Sequence, residues 1–98
     1  MKKIINGKLY DTDRSEEVTT VTLVGPYNSW EMYEHLYKKS TGEFFIERDF
    51  AGDGDCVEEF EWVLEHRFEP LSEAQAKVWV EKYCDADIYI NLFGEPTE

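Results

Sequence analysis

The stretch from Glu58 to Glu69 reads E-E-F-E-W-V-L-E-H-R-F-E. Phe60, Trp62, Leu64, His66 and Phe68 fall on every second position, and Glu59, Glu61, Glu65, Arg67 and Glu69 fill most of the positions between. Alternation at period two is the mark of a strand with one buried and one wet face. It predicts a half-buried strand from about Phe60 to Phe68, ended by Pro70. On that reading Trp62 faces the core, and Trp62→Ala should be the worst single change, costing about 3–5 kcal/mol if the ring is fully buried. The opposite face becomes a ladder of carboxylates about 6.6–6.8 Å apart, twice the rise per residue. That spacing is comparable to the separation of successive phosphates on one nucleic-acid strand.

The flanking segments place this stretch in an α+β domain. K-K-I-I-N-G-K-L-Y opens the chain with Asn-Gly between apolar residues, the strongest short hairpin signal, so Lys2–Ile5 and Lys8–Tyr10 should pair. Asp11 or Thr12 can cap one or two helical turns reaching about Val18. Residues 18–24, V-T-T-V-T-L-V, are β-branched and extended, and Gly25, Pro26, Asn28 and Ser29 mark a turn. Residues 30–38 fit two periods. Asn28 with Glu31 resembles a capping box and Trp30, Tyr33 and Tyr37 suit a helix face, whereas Trp30, Met32 and Leu36 alternate. A hairpin of strand 31–38 with strand 43–49 is favoured. Asp49–Asp55, D-F-A-G-D-G-D, reads as loop. After Pro70, Ser72 and Gln75 spell a capping box, with Ala76, Trp79, Val80 and Tyr83 on one helical face. Asp85 should cap a second short helix stopped by Gly94 and Pro96. The expected fold is an antiparallel sheet of four or five strands with short helices, two of them at the C-terminus, in one domain over residues 1–98.

Composition bounds the function. The chain has 98 residues, of which 42% are hydrophobic, enough for a single core. No apolar run approaches a membrane span of roughly 18–20 residues, and M-K-K-I-I-N-G lacks the apolar segment of a signal peptide. A cytoplasmic protein follows as the expectation, with Cys56 and Cys84 as free thiols. The net charge is −12, from 22 acids and 10 bases. It is concentrated: residues 43–69 hold ten acids against Arg48 and Arg67, a net of −8, while residues 1–42 balance to zero. Phosphate binding needs a basic patch, so this surface is not expected to bind nucleic acid.

Catalysis finds little support. His35 and His66 are the only histidines, no serine sits in a nucleophile-elbow context, and the acids around Cys56 disfavour a thiolate. His66 reads as a hydrogen-bonded structural residue. Asp49, Asp53, Asp55, Glu58 and Glu59 crowd a glycine-containing loop that could suit calcium or magnesium, but the EF-hand spacing is absent and a solvated loop is the simpler reading. Two Cys and two His show no zinc spacing. Neither a metal nor a cofactor is expected. The candidate binding face is acidic: Asp53, Asp55, Glu59, Glu61, Glu65 and Glu69, a field that attracts proteins built to grip phosphates.

Three segments, K-I-I-N-G-K-L-Y-D-T (Lys3–Thr12), L-Y-K-K-S-T-G-E-F-F (Leu36–Phe45) and P-L-S-E-A-Q-A-K-V-W-V-E-K-Y-C-D-A-D-I-Y-I-N-L-F-G-E (Pro70–Glu95), resemble a family of small proteins on mobile elements of Gram-positive bacteria. Some relatives sharing the I-N-G-K-x-Y-D-T opening are described as anti-CRISPR proteins acting on type II RNA-guided nucleases. The resemblance covers about half the chain. It departs between Val18 and Trp30, and at Ile88-Tyr89-Ile90-Asn91, where more glutamates would be expected. It implies an inhibitor in the cytoplasm of a bacterial host, partnered with a type II nuclease with or without guide RNA and possessing no catalytic residues. The alternatives are a non-catalytic phage or plasmid module binding another host protein and, third, a metal-dependent nuclease or metal binder.

Overall fold

A computed structural model describes residues 1–98. Asn6 and Gly7 take positive φ (52° and 77°) and turn β1 (Lys2–Ile5) back on β2 (Lys8–Asp11) as the Asn-Gly signal requires. Asp11 caps a 3₁₀ turn by accepting from the Asp13 N–H at 3.0 Å, but that turn ends at Arg14. The longer helix expected through Val18 does not form. Glu16 and Glu17 already belong to β3 (Glu16–Val24), where Glu16 pairs across from Lys38 on β4 (Trp30–Lys38). Ladder hydrogen bonds and that opposite-charge pair outweigh a short local helix.

A four-stranded antiparallel sheet forms in the order β3-β4-β5-β6, with β5 over Phe44–Gly52 and β6 over Phe68–Leu71. The ambiguous segment 30–38 is thus a strand. Strand β5 outruns its expected end: Asp49 pairs with Tyr33 and Phe50 with Met32, leaving Asp53 to Cys56 as the loop. Gly25, just before β4, lies under the Trp30 indole, where a Cβ would meet the ring at 2.2 Å.

The main correction concerns Glu58–Glu69. Val57–Glu65 is a helix, α1, and only Phe68 onward is strand. The one residue that broke the alternation, Val63, is the one α1 buries, at 3% exposure. Three consecutive apolar residues, Trp62-Val63-Leu64, suit a helix that presents one of them inward. Glu58 and Glu59 meet the positive end of the helix dipole. Trp62 is 44% exposed rather than buried, so it loses its place as the critical core residue.

One sheet face is covered by all three helices. Leu36, Phe44 and Ile46 pack with Ala76 and Val80 of α2 (Glu73–Tyr83), supported by Ile88, Leu92 and Phe93 of α3 (Ala86–Phe93). Ser72 and Gln75 close the predicted capping box (3.1 and 2.9 Å), Asp85 caps α3, and Gly94 ends it at φ 88°. On the other face the β1–β2 hairpin brings Tyr10 edge-on to Phe45 at 5.4 Å, and Phe68 and Tyr37 stack on the same ring. The hairpin covers only part of that face. Both cysteines are free, and no helix is long and apolar enough to cross a membrane.

Candidate functional site

The acidic residues singled out from the sequence are redistributed by the helix. Glu58, Glu61 and Glu65 follow i, i+3, i+7 spacing and share the outward side of α1. They repeat about every 5.4 Å, one helical turn, in place of the expected strand ladder. Asp53 and Asp55 occupy the loop directly before α1 and are exposed. Glu59 lies on the inner flank, at the rim of a hollow beside Glu58. Glu69 is not on this surface. It sits on β6 and binds Arg48 at 2.5 Å on the helix-covered face of the sheet. Five of the six predicted residues therefore converge on one end of the molecule, and the sixth is a structural ion-pair partner.

What fixes α1 in place is Arg48, whose side chain is 8% exposed. Its Nε donates to Glu34 Oε2 at 2.7 Å, one terminal nitrogen to Glu69, and the other to the His66 carbonyl at 2.8 Å. Trp79 of α2 donates its indole N–H to the second Glu34 oxygen at 3.0 Å. A single guanidinium thus ties β4, β6 and the residue that ends α1 to one point. Planar, forked donors suit such a three-way anchor as an ammonium could not. His66 itself caps α1, its backbone N–H reaching Trp62 O at 3.0 Å, with its ring stacked on Trp62 at 4.3 Å between centroids.

Between α1 and the sheet lies a hollow of about 300 Å³. Its floor is Trp30, Met32, Phe50 and Val63, and its rim carries Glu58, Glu59 and Trp62. An apolar floor with carboxylates at the mouth matches a lysine or arginine side chain, which buries its methylene stem and keeps its charge at the rim. Alongside, α1 leaves Val57 (54%), Phe60 (46%) and Leu64 (49%) exposed. The period-two reading missed this feature, because it assigned Phe60 and Leu64 to the core. Helical spacing would have set Val57, Phe60 and Leu64 on one stripe.

Beyond the first turn, where Glu58 and Glu59 meet the dipole favourably, the charge on α1 does not serve the helix. Glu65 stands in the last turn, where the dipole disfavours a carboxylate, and the helix itself carries no basic residue there. Glu58, Glu61 and Glu65 also repel one another along the helix, each such pair costing a few tenths of a kcal/mol. No family model, curated protein or solved structure matches the chain.

Proposed function

We propose that this protein is a non-catalytic, anti-CRISPR-type inhibitor that docks α1 and the Asp53–Asp55 loop against a basic groove of an RNA-guided nuclease. The observation that carries the reading is a helix whose later acids, Glu61 and Glu65, and exposed apolar residues work against its own stability and solubility while sharing one end of the molecule. Such a surface gains by meeting a partner with cationic side chains and an apolar contact. A nuclease that holds a guide-target duplex in a positively charged channel offers the first of these. The resemblance of Lys3–Thr12, Leu36–Phe45 and Pro70–Glu95 to mobile-element proteins supports that choice among basic partners. The loop acids act by long-range attraction, while the hollow beside Glu59 accepts a partner lysine or arginine.

The test is a pull-down against purified type II nuclease, with and without guide RNA, followed by a DNA-cleavage assay. Binding and protection of target DNA are expected. A triple variant, Glu58→Gln, Glu61→Gln and Glu65→Gln, should weaken binding by about tenfold or more, since each close charge pair contributes measurably to coupling. Absence of binding and of protection in both guide states would sink the reading. Capture of a different host protein by the same face would favour the accessory-module alternative.

A further inference from the structure

The part of the second sheet face that the hairpin leaves uncovered carries a constellation unrelated to α1. His35 on β4 stands directly across from Glu47 on β5, and Asp49 lies two residues further along the same side of β5. One ligand atom from each of these three residues lies within 4.8 Å of the other two. The three residues come from consecutive strands of one hairpin, and their meeting depends on the strand register.

The surroundings of the three residues are built. Each carboxylate turns one oxygen to Arg67 and the other to His35. Asp49 places Oδ1 2.8 Å from the guanidinium and Oδ2 2.9 Å from His35 Nε2. Glu47 places Oε1 3.6 Å from the guanidinium and Oε2 3.8 Å from the same Nε2. Behind the ring, the Thr20 hydroxyl donates to Glu17 Oε1 at 2.7 Å. Its oxygen can then only accept at His35 Nδ1, 2.8 Å away, so Nδ1 carries the ring proton. Nε2 is therefore the ring nitrogen that faces the two carboxylates. Glu47 is the least satisfied of the three: its side chain is 8% exposed, yet its nearest cationic nitrogens stand at 3.6 and 3.8 Å, beyond hydrogen-bond reach.

We propose that His35 Nε2, Glu47 Oε2 and Asp49 Oδ2 bind a divalent transition metal of the zinc class, with a fourth position open to solvent. Zinc takes imidazole nitrogen and carboxylate oxygen at about 2.0–2.2 Å, which separates tetrahedral ligands by about 3.3 Å. The observed 2.9 and 3.8 Å bracket that separation. Calcium needs six to eight oxygens, and magnesium avoids a nitrogen ligand. Arg67 and the Glu17–Thr20 pair then act as the outer partners that fix ligand orientation. The competing occupant is a proton on Nε2, which zinc would displace into solvent. The proposal is independent of nuclease binding.

Calorimetric titration of the chelator-treated 98-residue protein with zinc chloride tests it, with cobalt(II) absorption as a second readout. One ion per chain and low-micromolar or tighter affinity are expected. Asp49→Asn, on a side chain 43% exposed, should keep the fold by circular dichroism and weaken binding by more than about tenfold. His35→Gln should do the same, whereas the Cys56→Ser/Cys84→Ser double variant and His66→Gln should bind like the parent. The cobalt form should show no thiolate charge-transfer band. The proposal is overturned by absence of saturable heat, by unchanged affinity in Asp49→Asn, by loss of binding in the cysteine variant, or by calcium binding as tightly as zinc.

Discussion

Phe45 is fully buried and touches rings from three other strands, Tyr10, Tyr37 and Phe68. It joins the hairpin to the sheet, and truncating it leaves a cavity that neighbours on separate strands close only partly. Phe45→Ala should cost about 3–5 kcal/mol in denaturant unfolding. Trp62→Ala should cost clearly less, because nearly half the ring is already in water. Equal losses for the two would contradict this placement of the core. Cys84 offers a pH test. Burial first, and the Asp85 carboxylate second, push its thiol above the usual range. The folded state thus holds that proton more tightly than the unfolded state does. Its contribution is present below the ordinary thiol range and is lost as pH rises through the raised folded value. Iodoacetamide should label native Cys84 more slowly at pH 8 than the same residue in denaturant. Equal rates would refute the shift.

At the scale of elements, α1 is held by its ends and its inner face rather than by its own propensity. Cys56 begins it without a side-chain cap, and its thiol meets the Ser29 carbonyl only at 3.5 Å. Arg48 secures its C-terminal end through the His66 carbonyl. Removing charge from the outer row should therefore leave the attachment intact and relieve repulsion. Glu58→Gln gives up a favourable placement at the helix N-terminus while the triple change relieves the repulsion, so the Glu58→Gln, Glu61→Gln, Glu65→Gln variant is expected to stay within a few tenths of a kcal/mol of the parent. Thermal unfolding at low salt measures this. A drop of more than about 1 kcal/mol would mean that the acids serve the fold, and would remove the main support for a binding role. By contrast, Glu69→Gln should destabilise, since it weakens a partner of the buried guanidinium.

Over the whole molecule, the flat shape, 44 × 35 × 19 Å, puts the acidic end and the basic hairpin residues Lys2, Lys3 and Lys8 on a thin plate with much surface and little core. Charge steering is then the dominant long-range property. Its reach is about 8–10 Å in physiological salt. Association with a basic partner should slow several-fold between about 0.05 and 0.3 M salt, while dissociation changes little. Stopped-flow rates that ignore salt would argue against a charge-led encounter. Local chemistry alone determined the Asn6-Gly7 hairpin, the Ser72 and Asp85 caps, the Gly94 stop and the concentration of acid in residues 43–69. Each depends on neighbours a few positions away, through backbone torsions, capping hydrogen bonds or composition. The conformation of Glu58–Glu69 was not determined that way, because its apolar residues satisfy a period of two nearly as well as one of 3.6. The choice fell to tertiary structure. The sheet offers Val63 a buried site against Trp30, Met32 and Phe50, and Arg48 supplies the hydrogen bond that ends the helix. The meeting of His35, Glu47, Asp49 and Arg67 was likewise decided by strand register, which sets His35 across from Glu47 on the β4–β5 hairpin and brings Arg67, just before β6, alongside.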